Sequence, residues 1–338
     1  MTGGGPWAEV AERAREVEQA GFSGMLFTET GLSPWMSIAT AAQAAPSLHF
    51  STGVAVAFAR SPMVSASLAW ELAEGTRGRF RLGLGSQVRA HVERRFSAQF
   101  DPPGPRMRDY VLAVKAALRA FRGEEPLKRE GPYYQLTLLP DMWRPRLHEY
   151  GDIKVDISAV GPWMTRMAGE VADGIHVHPF HSATYLTDVL LPKVAEGAAR
   201  TGRDPSEVDL IVPVFTVVGD TPEERQPLEQ LARQQIAFYG STRNYAFQFD
   251  LLGFEGTSAR LNERLKAGDV PGMAALIDDE MLEQYAVTAT WDELADKLLD
   301  RYRSTTARVV MYLAEASLRQ DPSNLGRWAE VARAVREG

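Results

Sequence analysis

Arg79-Phe-Arg-Leu-Gly-Leu-Gly-Ser-Gln-Val-Arg89 is the stretch that decides the fold. Its first seven residues are a short, mostly apolar run, which predicts a buried strand ending in the polar turn Gly85-Ser-Gln87. Gly83-Leu-Gly85 invites a dinucleotide-binding reading. The third glycine of that fingerprint would fall at position 88, which is Val88, and no helix is expected immediately after it. A strand that ends in a polar turn suits a β/α barrel better, because such barrels build their sites at the C-terminal ends of the strands.

The same rhythm extends in both directions. A helix from about Trp7 to Ala20 ends at Gly21, a candidate left-handed cap. Gly24 to Thr30 reads as a strand running into a polar loop, Met36 to Ala45 as a helix, and Phe50 to Ala57 as a strand. Ser61 and Pro62 then cap and open a helix that runs to about Glu74. Beyond the central stretch come a helix from Arg106 to Phe121 and strands at 154–159, 174–178, 211–218 and 308–313. Helices begin near Pro162, Ser182 and Thr221, and Thr290-Trp-Asp-Glu293 resembles a capping box. Proline- and aromatic-rich segments at about 122–150 and 240–285 read as insertions after the fourth and seventh strands of the barrel. The expected architecture is α/β, a (β/α)8 barrel in one domain over 1–338, with seven strands visible and the first one missing.

Bulk properties bound the function. The chain has 338 residues, a formal net charge of −7 and no cysteine. Thiolate metal sites, iron–sulfur clusters, disulfides and a cysteine nucleophile are therefore excluded. The acidic balance argues against general binding of nucleic acid or a membrane surface. No apolar run reaches membrane-spanning length, and the N-terminus lacks the marks of a signal peptide, so a cytoplasmic location is expected.

Candidate functional groups collect at the predicted strand ends. Residues 77–108 hold eight arginines, no lysine and only two carboxylates, Glu93 and Asp101, with Asp109 just beyond, an excess that suits an anionic ligand or, alternatively, an ion-paired surface. Val160-Gly161-Pro162 joins a strand to a helix whose free amides could receive a phosphate. His176, His178 and His181 cluster at another strand end. Their spacing can hold a metal, but no carboxylate is placed to complete a site. The expectation is no metal and a substrate-pocket role for His178, with ordinary structural histidines as the alternative. Glu29, ending the first visible strand, is the candidate general acid or base beside Thr30.

Three blocks carry a resemblance to a known family: Val54-Ala-Val-Ala-Phe-Ala-Arg-Ser-Pro-Met63, Arg79 to Arg89 as quoted above, and Met164-Thr-Arg-Met-Ala-Gly-Glu-Val-Ala-Asp-Gly174. Ala237-Phe-Tyr-Gly-Ser-Thr242 adds a fourth. Together they resemble the F420-associated branch of the luciferase-like monooxygenase superfamily. The resemblance implies a non-proline cis peptide at Gly53-Val54 behind a deazaflavin ring. It implies that Ser86, Gln87, Val88 and Arg89 contact the cofactor's side chain, and that Ala159, Val160 and Gly161 receive its phosphate. It also implies hydride transfer between coenzyme F420 and a small organic substrate, in a homodimer. Leu32 stands where relatives carry a histidine, so Glu29 or His178 would have to take over its part. An FMN-dependent monooxygenase of the same fold and a non-catalytic ligand-binding relative stay open as alternatives. Trp143, Phe238, Tyr239, Tyr245, Phe247 and Phe249 in and beside the insertions suggest an apolar or aromatic substrate, or simply rings packing the insertions in place.

Overall fold

A computed structural model of the chain describes residues 4–338. Its strands are β1 (Gly24–Phe27), β2 (His49–Thr52), β3 (Ala55–Val56), β4 (Phe80–Gly85), β5 (Arg129–Glu130), β6 (Gln135–Leu136), β7 (Val155–Ser158), β8 (Gly174–His176), β9 (Asp209–Val218), β10 (Ala286–Ala289) and β11 (Arg308–Met311). All but β5 and β6 form one parallel sheet in the order β1-β2-β4-β7-β8-β9, with β3 also on β4. Both β10 and β11 pair with β9: Arg308–Met311 lie along Ile211–Val214, and Ala286–Ala289 along Phe215–Val218. Leu210–Val218 are buried without a break, the mark of a parallel strand covered on both faces.

The seven expected strands are all there, and the missing one leaves a visible mark. Among the described residues, β1 pairs only with β2 and β11 only with β9, so the barrel wall stays open between β1 and β11. Two elements differ from the sequence reading. β10 is a short strand that periodicity leaves unassigned, because four residues between a helix and a capping box carry no pattern. A helix, Arg89–Arg94, does follow the central strand closely. Its polar face gives no periodic signal, and only Val92 is buried.

Local signals at the helix ends act as the sequence suggests. The first helix runs Trp7–Gln19, and Gly21 has φ +76°. Ser61 Oγ accepts from the Val64 amide at 3.3 Å, and the helix Pro62–Gly75 opens on its proline. Thr290 and Glu293 form the reciprocal capping box. The first insertion holds the antiparallel β5–β6 pair, and the second holds the helices Ala246–Asp250, Thr257–Lys266, Val270–Ala275 and Asp279–Tyr285. No helix among the described residues is long and apolar enough to cross a membrane.

Candidate active site

A cavity of about 1300 Å³ opens at the C-terminal ends of the strands, where a barrel's connecting loops converge. Gly53, Val54, Ser86, Gln87, Val88, Arg89, Val160, Gly161 and His178 all line it. Ala159 and Glu29 do not: Ala159 is buried behind the wall, and Glu29 is bound elsewhere.

Glycines shape the wall at two points. The Gly53–Val54 peptide is cis, and a Cβ on Gly53 would lie 2.0 Å from the Leu26 side chain. A Cβ on Gly85 would meet Val54 Cγ2 at 2.5 Å and Ser158 Oγ at 2.9 Å. Gly83, the other glycine of the central strand, faces the Thr52 carbonyl oxygen and His176, at 2.0 and 2.5 Å from an added Cβ. The Gly-Leu-Gly pattern therefore serves close packing of neighbouring strands.

Glu29 holds the far side of this wall in place. Its Oε2 accepts from the Val56 amide at 2.6 Å and from Arg60 Nη1 at 3.0 Å, while Oε1 accepts from Arg60 Nη2 at 2.5 Å. Both oxygens are engaged within the protein, so the geometry gives Glu29 a positioning part in the wall. Thr28 and Thr30 of the same segment do line the cavity, whereas Leu32 is half exposed and lies off it.

His178 sits between two rings, 4.6 Å from Tyr239 and 4.7 Å from Tyr245. Its Nδ1 accepts from the Phe180 amide at 3.1 Å, which leaves the proton of the neutral ring on Nε2. Burial, reinforced by His181, pushes its pKa down to about 3. The ring is thus a neutral donor at neutral pH. Burial also lowers His181, to about 4; it bonds the His178 carbonyl oxygen and the Tyr302 hydroxyl, away from the cavity.

His176 lines the cavity floor and belongs to a charged network beneath it. Arg81 reaches Asp156 at 2.7 Å and Asp209 at 2.6 Å, and His176 Nε2 lies 3.7 Å from Asp156. Sequence reasoning missed Asp156 and Asp209, which stand 75 and 128 residues from Arg81 and carry no local signal. It also missed Tyr312, whose hydroxyl lies 3.0 Å from that of Tyr239 on the cavity wall.

The arginine-rich stretch divides. Arg81 points into the network, Arg108 pairs with Glu170, Arg106 bonds Gln99, and Arg95 bonds the Thr30 carbonyl oxygen. Arg89 alone among the eight lines the cavity, while ion-paired to Glu93 and Asp101. The aromatic residues divide too: Tyr239 and Tyr245 face the cavity, Phe249 is core, Phe247 packs on Tyr185, and Trp143 and Phe238 are exposed.

The cavity also borders an open helix start. Nothing lies within 4 Å of a Cβ built on Gly161, so the start of the helix Pro162–Val171 is open to a ligand. Its first amides lack intrahelical partners and suit an anion.

Comparison with known proteins agrees with this architecture. The luciferase-like monooxygenase family profile matches residues 1–308. An uncharacterized protein of Mycobacterium tuberculosis strain H37Rv is 37% identical over 310 residues, spanning 92% of this chain and 91% of that protein. A 5,10-methylenetetrahydromethanopterin reductase of Methanolobus tindarius is 24% identical over 85% of each chain. Among solved structures, the coenzyme F420 dependent tetrahydromethanopterin reductase of Methanopyrus kandleri superposes with a TM-score of 0.79 at 19% identity, covering 100% of this chain and 97% of that one. An FMN complex of the oxygenating constituent of 3,6-diketocamphane monooxygenase from Pseudomonas putida superposes with a TM-score of 0.64 at 16% identity, covering 97% and 91%. With its family profile matched over nine-tenths of its length and its barrel shared with these enzymes, the chain belongs to the luciferase-like monooxygenase family.

Proposed function

We propose that this protein is an F420-dependent oxidoreductase that moves a hydride between coenzyme F420 and a small organic substrate. The observation that carries the reading is the cavity wall itself. The Gly53–Val54 peptide, the turn Ser86–Arg89 and the open helix start at Gly161 border one space of about 1300 Å³. The likeness to a solved coenzyme F420 dependent tetrahydromethanopterin reductase supports F420 in this reading.

In this reading Gly53 and Val54 back the ring, and Leu26, on the same lining, packs against Gly53. Ser86, Gln87, Val88 and Arg89 hold the side chain. Val160 and Gly161, with Ala159 buried beneath them, take the phosphate at the helix start. The bound cofactor supplies the redox chemistry. His178 presents its Nε2 proton to a substrate oxygen, and Glu29 keeps the ring-facing wall in position. Tyr239 and Tyr245 give the substrate side an apolar, aromatic lining.

Titration of the purified chain with oxidised F420, and separately with FMN, followed by fluorescence, tests the proposal. Selective, saturable F420 binding is the expected result. Binding of FMN alone would move the protein to the monooxygenase reading. Binding of neither, by protein whose circular dichroism shows it folded, would overturn the enzymatic assignment.

A further inference from the structure

Formal charge is nearly absent from the cavity. Arg89 is the only lysine, arginine, aspartate or glutamate on its lining among the described residues, and Glu93 and Asp101 already pair with it. It belongs to the turn after β4, which the proposed function gives to the cofactor. His176, on the floor, is turned to Asp156 at 3.7 Å.

Four other side chains form a second group on the same lining. Tyr239 stands in the last turn of the helix Pro222–Gly240, and Tyr245 follows in the second insertion. Tyr312 comes directly after β11, and His178 two residues after β8. The His178 ring lies 4.6 Å from Tyr239 and 4.7 Å from Tyr245, and the Tyr239 and Tyr312 hydroxyls meet at 3.0 Å.

This group is polar without being charged. Burial pushes the hydroxyls of Tyr239, Tyr245 and Tyr312 up and the His178 imidazole down, so all four are neutral at neutral pH. Hydrogens are nevertheless left to give. The Tyr239–Tyr312 pair holds two O–H groups and spends one within itself, and nothing takes the second among the described residues. His178 Nε2–H likewise has no partner there, since only Nδ1 is engaged.

Neutral donors set among aromatic rings match a neutral acceptor. A ligand that covers them without offering an oxygen leaves them unpaired, so the site selects for that oxygen. An ion meets the opposite balance. A carboxylate or an ammonium brought into this space gives up water and finds no free countercharge.

We propose that the substrate is an uncharged organic compound whose carbonyl or hydroxyl oxygen is received by the Tyr239–Tyr312 hydroxyl pair and His178, and that acids and amines of the same shape are rejected. The inference deepens the proposed function and rests on it only in giving this part of the cavity to the substrate.

Four probes of one shape test it: acetophenone, benzoate, benzamidinium and α-methylstyrene, in which a methylene replaces the ketone oxygen. Dissociation constants are read by saturation-transfer NMR on the full chain, with and without oxidised F420. Acetophenone is expected to bind about tenfold more tightly than either ion. Its lead over α-methylstyrene should be about fivefold, the worth of one hydrogen bond. In Tyr239→Phe/Tyr312→Phe, which keeps both rings, that lead should shrink, and adding His178→Phe should abolish it. Equal or tighter binding of benzoate or benzamidinium overturns the proposal, and this comparison needs no variant. A lead over α-methylstyrene that survives all three substitutions overturns it too, as does saturation by none of the probes. F420 binding without selectivity among the probes overturns this inference alone. Selectivity without F420 binding overturns the cofactor assignment and upholds this inference.

Discussion

The carboxylate of Glu29 and the guanidinium of Arg60 meet through two hydrogen bonds, at 2.5 and 3.0 Å, and the same carboxylate accepts the Val56 amide. The pair joins the loop after β1 to the segment that follows the cis peptide. Both side chains are largely buried, at 8% and 17% exposure. Removing one partner leaves the other charge uncompensated, which costs about 3–5 kcal/mol. Glu29→Gln should therefore lower the melting temperature and weaken cofactor binding together. Adding Arg60→Gln should restore part of the stability. Additive losses in that cycle would show that the pair does not couple the two segments.

His178 gives a pH prediction with a definite sign. Its folded pKa, about 3, lies below the ordinary histidine value of about 6.5. Its contribution to stability is complete above about pH 6.5 and is lost as the pH falls toward 3, because the unfolded chain takes up the proton first. His181, at about 4, acts in the same direction. Each group can contribute up to about 1.4 kcal/mol per pH unit in that window, and His178 less than that because it borders the cavity. Melting curves from pH 7 to 5 should show stability falling, and His178→Gln should flatten the slope. A variant with the wild-type slope would refute the neutral, buried ring.

Gly161 separates binding from stability. It caps the helix Pro162–Val171 with φ −77° and ψ 157°, a conformation that aspartate readily adopts, and a Cβ there meets nothing within 4 Å. Gly161→Asp supplies a side-chain cap in place of glycine, worth a few tenths of a kcal/mol. It also puts a negative charge where the cofactor phosphate is proposed to lie. The expected outcome is an unchanged or slightly raised melting temperature with F420 affinity reduced at least tenfold. Undiminished affinity would place the phosphate elsewhere.

How much of this was legible in the sequence follows from distance along the chain. The barrel rhythm, the Ser61 and Thr290 caps and the strand-end positions of Ser86 and Gly161 are local signals, whereas Gly53 falls inside the strand expected over Phe50–Ala57 and is marked only by the family resemblance. The local signals survive into the structure because neighbouring residues set them. Arg81 looked like one of eight cations near an anion site, and its buried partners on β7 and β9 were invisible until the sheet brought them together. Glu29 looked free for the same reason, since Arg60 lies 31 residues away. Tyr312 gave no signal at all. Its meaning comes from Tyr239, which reaches it from the helix before the second insertion.

Asp156 is the residue on which the barrel floor depends. It is fully buried between Arg81 and His176, and Gly174 beside it has no room for a Cβ, which would lie 2.6 Å from Asp156 Oδ1. Burial pushes its carboxyl up, but nearby His176 and the hydrogen bonds from Arg81 outweigh that and hold it below the usual carboxylate range. Its stabilisation is then complete above about pH 4 and is lost as the pH falls further. Asp156→Asn keeps the shape and removes the charge, leaving Arg81 with Asp209 alone. A loss of about 3–5 kcal/mol is expected in urea unfolding at pH 7. Below pH 4 the gap to wild type should shrink, because there the native carboxyl is being protonated as well. An equal gap at both pH values would mean that packing, and not the ion pair, holds the floor together.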